Sequence, residues 1–343
     1  MSVLAIDEAG PATSVQDGGR LGYLRFGLSS AGAMDRTALE TANALVGNAP
    51  LAPAIEIGPF PARFLAADGD IRLALTGAAR TADIGGRAVA MGESFVLKSG
   101  ETLRLQAARG GTFSMLAIAG GIDGTPMFGS FSVHARADLG SPLPRPLKAG
   151  DRLAVATAVA GARDFRLPLP VLAAAPGASA IRVVLGPQDD YFGVAALEQF
   201  FAADWQISPA SDRMGYRLLG PKIVAARGHN IVSDGIALGQ IQVPGDGQPL
   251  VLMADRGTTG GYPKIAAIIS ADLGRFAQTP AGTIVRFEAV SIEAAQDIAR
   301  SWRRQLAALP ASRQTVVQGH PTSETLLGAN LAGEAVDALA PHL

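Results

Sequence analysis

Short apolar runs broken at close intervals by glycine and proline are the feature that most narrows what this chain can build. Of its 343 residues, 41 are Gly and 22 are Pro, more than one residue in six. Long helices are therefore few. The runs Ile71–Leu75, Ser94–Leu97, Leu103–Gln106, Phe113–Ala119, Ile181–Leu185, Gln240–Val243, Leu250–Met253 and Thr283–Phe287 are bounded by Gly, Pro or Asp and read as strands. Turn signals recur between strands, as at Gly85-Gly86, Lys98-Ser99-Gly100 and Pro280-Ala281-Gly282. That spacing predicts a mainly β protein, barrel or sandwich, rather than alternating βαβ units. With 48% hydrophobic and 17% charged residues, the chain can bury a core, and its length suits about two domains.

A few helices punctuate the strands. Asp35 caps a helix over Arg36–Val46, with Gly47-Asn48 as the stop. Asp189 or Asp190 opens a second helix through Phe201. Ser291 caps a third, to Leu309, whose Ile292, Ala295, Ala299, Trp302, Leu306 and Leu309 form one apolar stripe. Residues 311–321 read as a loose linker, and Ser323–Leu339 as a last helix. The halves echo each other. Arg20-Leu-Gly-Tyr23 matches Arg213-Met-Gly-Tyr216, and Ser99-Gly100-Glu-Thr-Leu-Arg104 matches Ala281-Gly282-Thr-Ile-Val-Arg286. Either these are chance likenesses of Gly-rich turns, or the chain holds two related β domains, 1–170 and 171–310, joined near Leu167–Ser179 and followed by a linker and tail, 311–343.

Several function classes are disfavoured. Lys plus Arg is 29 against Asp plus Glu 30, so no basic excess attracts nucleic acid. Cys is absent, which removes disulfides and thiol chemistry and fits a reducing compartment. MSVLAIDEAG is no signal peptide. Leu153–Ala162 is too short to span a bilayer, and Leu167–Ile181 carries three prolines. The expectation is a cytoplasmic protein with no membrane partner. The chain has no P-loop, no H-E-x-x-H and no G-x-S-x-G. Its four His (134, 229, 320, 342) are scattered, so no metal is expected. With no Met-Lys pair, it carries no biotinyl-lysine of the usual kind.

One dense polar segment remains, Ser233–Lys264. Gln240 and Gln242 alternate with Ile241 and Val243, which puts both amides on one strand face. Asp255 follows the strand Leu250–Met253. Thr258-Thr259-Gly260-Gly261 is a hydroxyl- and glycine-rich loop whose N–H groups can approach an oxyanion. Tyr262-Pro263-Lys264 closes it. Lysine is scarce, at 98, 148, 222 and 264 only. A lysine here therefore suits a point charge or titratable amine that Arg cannot supply. The same residues also suit a tight loop with a solvated lysine. Three further clusters carry both readings. Ser211–Tyr216 offers a guanidinium, Arg213, for a carboxylate, or a structural ion pair with a core Tyr216. Gly18–Arg36 offers an anion site after Ser29-Ser30-Ala-Gly, or an ordinary cap at Asp35. Gly186–Phe192 places two acids at a helix start, by default for the dipole.

Taken together, VQDGGRLGY, SAGAMDR, NALVGN, GPQDDYF, SDRMGYRLLGP and IQVPGDGQPLVLMADRGTTGGYPKIAAIISADL closely resemble the biotin-dependent carboxyltransferase family, also called allophanate hydrolase subunit 2. The resemblance covers roughly residues 3–290. Stand-alone bacterial members of this length look like the C-type subunit of 5-oxoprolinase. The resemblance implies tandem cyclophilin-like β-barrels. It implies a homologous B-type subunit, of the allophanate hydrolase subunit 1 type, together with an A-type subunit, which complete an ATP-dependent opening of 5-oxoproline. ATP is then shared with the partners, and no cofactor is bound covalently. One alternative is carboxyl transfer to urea or a related amide from carboxybiotin on a separate carrier. Another is a non-catalytic regulator that binds and relieves a kinase inhibitor. By resemblance, Lys264, Asp255, Thr258 and Thr259 are the expected catalytic positions, and Arg213, Tyr216, Gln240, Gln242, Tyr262 and Asp35 the expected substrate-binding ones. Gly257 stands where relatives commonly have Gln, and Val133 where they have Thr.

Overall fold

The computed structural model describes residues 2–156, 163–167 and 180–316. The protein is mainly β, as the punctuated runs predict. Residues 3–154 supply two antiparallel sheets. One runs in the order Arg152–Ala154, Val3–Glu8, Ala62–Asp68, Thr102–Leu105, Ala82–Ile84, Arg87–Val89. The other runs Ser14–Gln16, Ala54–Ile57, Arg109–Ile118, Ile71–Ala79, Ser94–Leu97. Their inner faces share one core, in which Leu4, Phe64 and Leu103 of the first sheet meet Ile55, Leu73 and Leu116 of the second. Sheet-on-sheet burial of aliphatic side chains is what holds this half together.

Residues 181–289 form a single eight-stranded sheet. Its order is Ile284–Val285, Trp205–Ile207, Gly215–Leu219, Leu250–Leu252, Gln240–Gln242, Lys264–Ile268, Ile181–Leu185, Phe287–Ala289. The two outermost strands are separated in sequence by Arg286 alone, so the edges must come together and the sheet curls into a nearly closed barrel. Closure removes free strand edges. Trp205, Phe200, Phe276 and Phe287 fill its core, with the Phe200 and Phe287 rings stacked at 5.0 Å.

Among the described residues, four α-helices lie on these sheets: α1 (Arg36–Val46), α2 (Val194–Ala202), α3 (Leu273–Ala277) and α4 (Ile292–Ala308). α1 starts and stops where its caps predict, with Asp35 Oδ1 accepting from Ala38 N–H at 3.1 Å and Gly47 at φ 79°. It is buried along most of its length and packs with Leu306 and Leu309 in a third cluster. α4 begins at the predicted Ser291 cap. Two expectations need correction. The acids Asp189 and Asp190 sit in a single 3₁₀ turn, Asp189–Tyr191, and α2 starts later, after Gly193, because Phe192 is extended and buried against the core. Residues 311–316 are no loose linker: Gln314–Thr315 pairs with Phe165–Arg166 as a small ribbon. The expected helix Ser323–Leu339 and most of the expected joint, Leu167–Ser179, lie outside the described residues.

The halves are joined by polar contacts. Gln278, after α3, accepts from Thr112 and Phe113 N–H at 3.0 Å and donates to Phe113 O and Asp35 Oδ2, both at 2.8 Å. No helix among the described residues is long and apolar enough to cross a membrane.

Candidate functional site

Lys264 opens a central barrel strand, between Gln240–Gln242 and Ile181–Leu185. Its neighbours Ile265, Ala266 and Ile268 face apolar surroundings, and the strand takes the lysine down with them to zero exposure. Two glycines allow this. A Cβ on Gly186 would meet Lys264 O at 2.0 Å, so that position admits no side chain, and one on Gly260 would meet Gln242 Nε2 at 2.3 Å and would have to push that amide aside. A register shift between Ile241 and Gln242 sets Gln242 directly opposite Lys264. Directly opposed residues share a face, with Cβ atoms about 5 Å apart.

Both side chains end in unused donors. Lys264 Nζ and Gln242 Nε2 are buried and have no hydrogen-bond acceptor. Asp234 Oδ2 lies 3.8 Å from Nζ, near enough to attract but beyond hydrogen-bond distance. Asp234 reaches this place because Asp234–Gly235 and Thr259–Gly260 pair as a two-stranded ribbon that lies over the lysine's strand end. Burial lowers the Lys264 pKa from its ordinary value, and Asp234 only partly opposes the shift. Leaving buried donors unmade costs about 1–3 kcal/mol each. A pair of them on one face is therefore a place to receive an acceptor oxygen. Gln188 Oε1, from the Gly186–Phe192 cluster, anchors the strand by accepting from Lys264 N–H at 3.2 Å.

The remaining predicted residues divide. Thr259 is exposed and Thr258 and Gly260 are half-buried, Thr259 and Gly260 lying on the ribbon that carries Asp234. Tyr262 is 39% exposed at the loop exit. Gln240 is not a free partner of Gln242. Its Oε1 accepts from Ala237 N–H at 2.8 Å, closing the preceding turn.

Arg213 is not available as a clamp for a substrate carboxylate. Its Nε and Nη2 hold both oxygens of Asp255 at 2.9 Å, Nη1 donates to Glu56, and Nη2 also donates to Gly32 O at 2.8 Å. The fork matches a carboxylate, and the protein supplies that carboxylate itself. Burial disfavours the charge, but Glu56 and Asp255 together outweigh it and hold the guanidinium pKa above its ordinary value. Asp255 is accordingly an ion-pair partner rather than a free base. Tyr216 is likewise committed: it is buried, donates to Ala277 O at 2.8 Å and packs on Phe276. Asp35 caps α1 and accepts from Gln278. Burial pushes its carboxyl up, against those hydrogen bonds. Arg213, Asp255 and Asp35 belong to the joint between the halves, and Tyr216 to the core of the second half.

Two residues escaped the sequence reading. Asp234 was inside the polar segment but carried no motif; only its pairing with Gly260 reveals it. Glu56 stands in a strand, Ala54–Ile57, whose every residue is buried. A lone carboxylate in an apolar run was the signal, since such a charge needs a partner. Among the described residues, no group of three or more His, Asp or Glu side chains is gathered for a metal ion.

The family model for the carboxyltransferase domain, subdomain A and B, matches residues 26–289. The C-type subunit of 5-oxoprolinase from Escherichia coli (strain K12) is 40% identical over 295 residues, which cover 85% of this chain and 93% of that one. Among solved structures, the K. lactis urea amidolyase superposes with a TM-score of 0.83 at 29% identity, over 90% of this chain and 20% of that one. TTHA0988 superposes with a TM-score of 0.76 at 33% identity, over 84% of this chain and 56% of that one.

Proposed function

The chain belongs to the carboxyltransferase domain family, subdomains A and B, and from that premise we propose that it is the C-type subunit of a cytoplasmic, ATP-dependent 5-oxoprolinase. It acts with A-type and homologous B-type subunits to open 5-oxo-L-proline to L-glutamate. The 40% identity to the C-type subunit of a 5-oxoprolinase, across nearly the whole of both chains, supports this choice of substrate.

The observation that carries a catalytic reading is the opposed pair of unused donors, Lys264 Nζ and Gln242 Nε2. A lactam is a stable amide. Its opening at neutral pH requires that charge developing on the carbonyl oxygen be held in a dry, preorganised setting. Lys264 neutralises that charge, and Gln242 donates to the same oxygen. Asp234, 3.8 Å from the amine, favours the protonated lysine that this role needs. Thr258 and Thr259 on the overlying ribbon contribute hydroxyls. ATP, bound by the assembled subunits, supplies activation of the lactam oxygen. A regulator that only docks has no use for a buried ammonium without a hydrogen-bond acceptor, so the burial of Lys264 favours the enzyme over the docking protein.

A second reading shares the site: carboxyl transfer from carboxybiotin on a separate carrier to urea or a related amide. The structural likeness to urea amidolyase favours it, and the same two donors fit a ureido oxygen. The deciding experiment is reconstitution of the chain with its A-type and B-type partners, assayed for glutamate release from 5-oxoproline with ATP. Turnover that falls with Lys264→Ala by about 100-fold or more is expected. No glutamate release, together with an avidin-reactive carrier in the native complex, would transfer the site to carboxyl transfer.

A further inference from the structure

Among the described residues, several arginines are largely withdrawn from water, and four of them, Arg20, Arg80, Arg213 and Arg256, are satisfied in two different ways. Arg80 has no carboxylate, yet all three of its nitrogens are bonded. Nε donates to Ser114 Oγ at 2.7 Å, Nη1 to Phe60 O and Gln106 O at 2.8 and 3.0 Å, and Nη2 to Ile57 O at 3.2 Å and to Gly58 O. Arg213 is saturated by Asp255, Glu56 and Gly32. These two show what a structural buried guanidinium looks like here.

Arg20 and Arg256 do not look like that. Arg20 is 0% exposed, and only its Nη2 is used, on Ser132 O; Nε and Nη1 have no acceptor. Arg256 is 4% exposed. Its Nε has no acceptor, and its Nη1 makes two long contacts, 3.4 Å to Ser30 Oγ and 3.4 Å to Met253 O. The carboxylates near them are spent. Asp17 accepts from Gly19 N–H, Ser130 Oγ, Ser132 Oγ and Phe131 N–H at 2.5–2.8 Å, and Asp255 is taken by Arg213. Burial lowers the pKa of both arginines, which for Arg256 no carboxylate opposes.

The two deficient arginines both meet one residue, Arg20 through its backbone and Arg256 through its side chain. The Arg20 main-chain N–H donates to Ser30 O at 2.7 Å, and Arg256 Nη1 reaches the hydroxyl of the same serine at 3.4 Å. Ser29 Oγ pins this loop to Ala254 O at 3.1 Å. The loop is held in an unusual shape: Ala31 has φ 50° and Gly32 φ 98°. Gly19, at φ 85°, lies so close that a Cβ there would sit 2.8 Å from Ser30 O. Leu21, next to Arg20, is 76% exposed, so solvent lies one residue away along the chain.

We propose that Arg20 and Arg256, joined through Ser30, form an oxyanion site that takes a carboxylate or a phosphate group. Three nitrogens without an acceptor, on two fork-shaped cations, suit the paired oxygens of such a group. The site is independent of the substrate assignment above and of the Lys264–Gln242 pair.

The test uses the full-length protein with ¹⁵N-labelled arginine. The Nε–H resonances are followed during titration with inorganic phosphate and, separately, with acetate, at constant ionic strength. The resonances of Arg20 and Arg256 are expected to shift together, saturably and with one Kd, while those of Arg80 and Arg213 stay still. A response to phosphate alone identifies a phosphoryl ligand, and a response to acetate alone a carboxylate. No saturable shift with either anion, or equal shifts at all four arginines, overturns the proposal. Arg256→Lys keeps the charge but loses the fork and is expected to weaken binding about tenfold. An Arg20 response unchanged in that variant overturns the shared site. Should the variant not fold, the wild-type titration decides alone.

Discussion

Arg213 and Lys264 are two cations drawn out of water within the same barrel, and their surroundings are opposite. Around Arg213, two carboxylates and a carbonyl use the fork almost completely. Around Lys264, the nearest carboxylate stops short and the ammonium has no acceptor. The first is a fastener between the halves, since Glu56 and Gly32 come from the first half and Asp255 from the second. The second is a charge held ready. Residue type does not separate them, for a lone Arg beside an Asp reads as a substrate clamp in the sequence. What separates them is whether the protein has already supplied the partner.

The largest effect that would break this contrast is on stability. Arg213→Met leaves Glu56 and Asp255 facing each other without a cation, Glu56 completely buried. Loss of about 3–5 kcal/mol is expected, read from denaturant midpoints. A loss below about 1 kcal/mol would mean the network is not a fastener. Lys264→Met is expected to do the reverse. It removes a buried ammonium that has no hydrogen-bond acceptor while keeping the volume, so stability should rise by about 1–3 kcal/mol as turnover of the reconstituted complex collapses. Such a gain in stability with a loss of function marks a site built at a cost to the fold. If Lys264→Met destabilises as Arg213→Met does, the lysine is structural too.

Much of the architecture was legible because strand and turn chemistry is local. All eight apolar runs fall on strands, and the caps at Asp35 and Ser291 stand where they were read. Lys264 and Gln242 were legible as types, a rare lysine and a strand amide. Their pairing was not, because it depends on a register shift. The repeated string Arg-x-Gly-Tyr shows the limit most sharply. In one copy, Arg213 is saturated and Tyr216 buried; in the other, Arg20 has donors to spare and Tyr23 packs near the surface with Phe26 and Phe128. The local sequence is shared, and the partners come from distant segments.

The pH dependence sharpens the contrast by a smaller amount. The unfolded chain keeps the Lys264 proton up to its ordinary pKa of 10.5, while burial makes the folded chain lose it earlier. Between those two values the unfolded state binds more protons, so this residue's contribution to stability improves as pH rises. The stability advantage of Lys264→Met over wild type should therefore be largest at neutral pH and shrink toward the ordinary lysine range. Paired unfolding curves at neutral and alkaline pH measure it. An advantage that grows with pH would reverse the sign and remove the buried charge from the account.

The smallest expected effect concerns the loop between the two cations. Gly257 is exposed, and a Cβ there would meet only Thr259 O, at an ordinary 3.6 Å. Its φ lies outside the left-handed region, so a side chain enters without backbone strain. The glycine is therefore not required by the fold, whereas a Cβ at Gly260 would displace the Gln242 amide. Gly257→Gln should shift stability by no more than about 0.5 kcal/mol. If its amide adds one hydrogen bond to the bound substrate, KM falls by about 2- to 10-fold with kcat unchanged, the signature of binding equal in ground and transition states. A kcat change instead would mean that the residue reaches the reacting atoms. An unaltered KM would place the loop tip outside the site, leaving Lys264 and Gln242 beneath the ribbon as the groups that meet substrate.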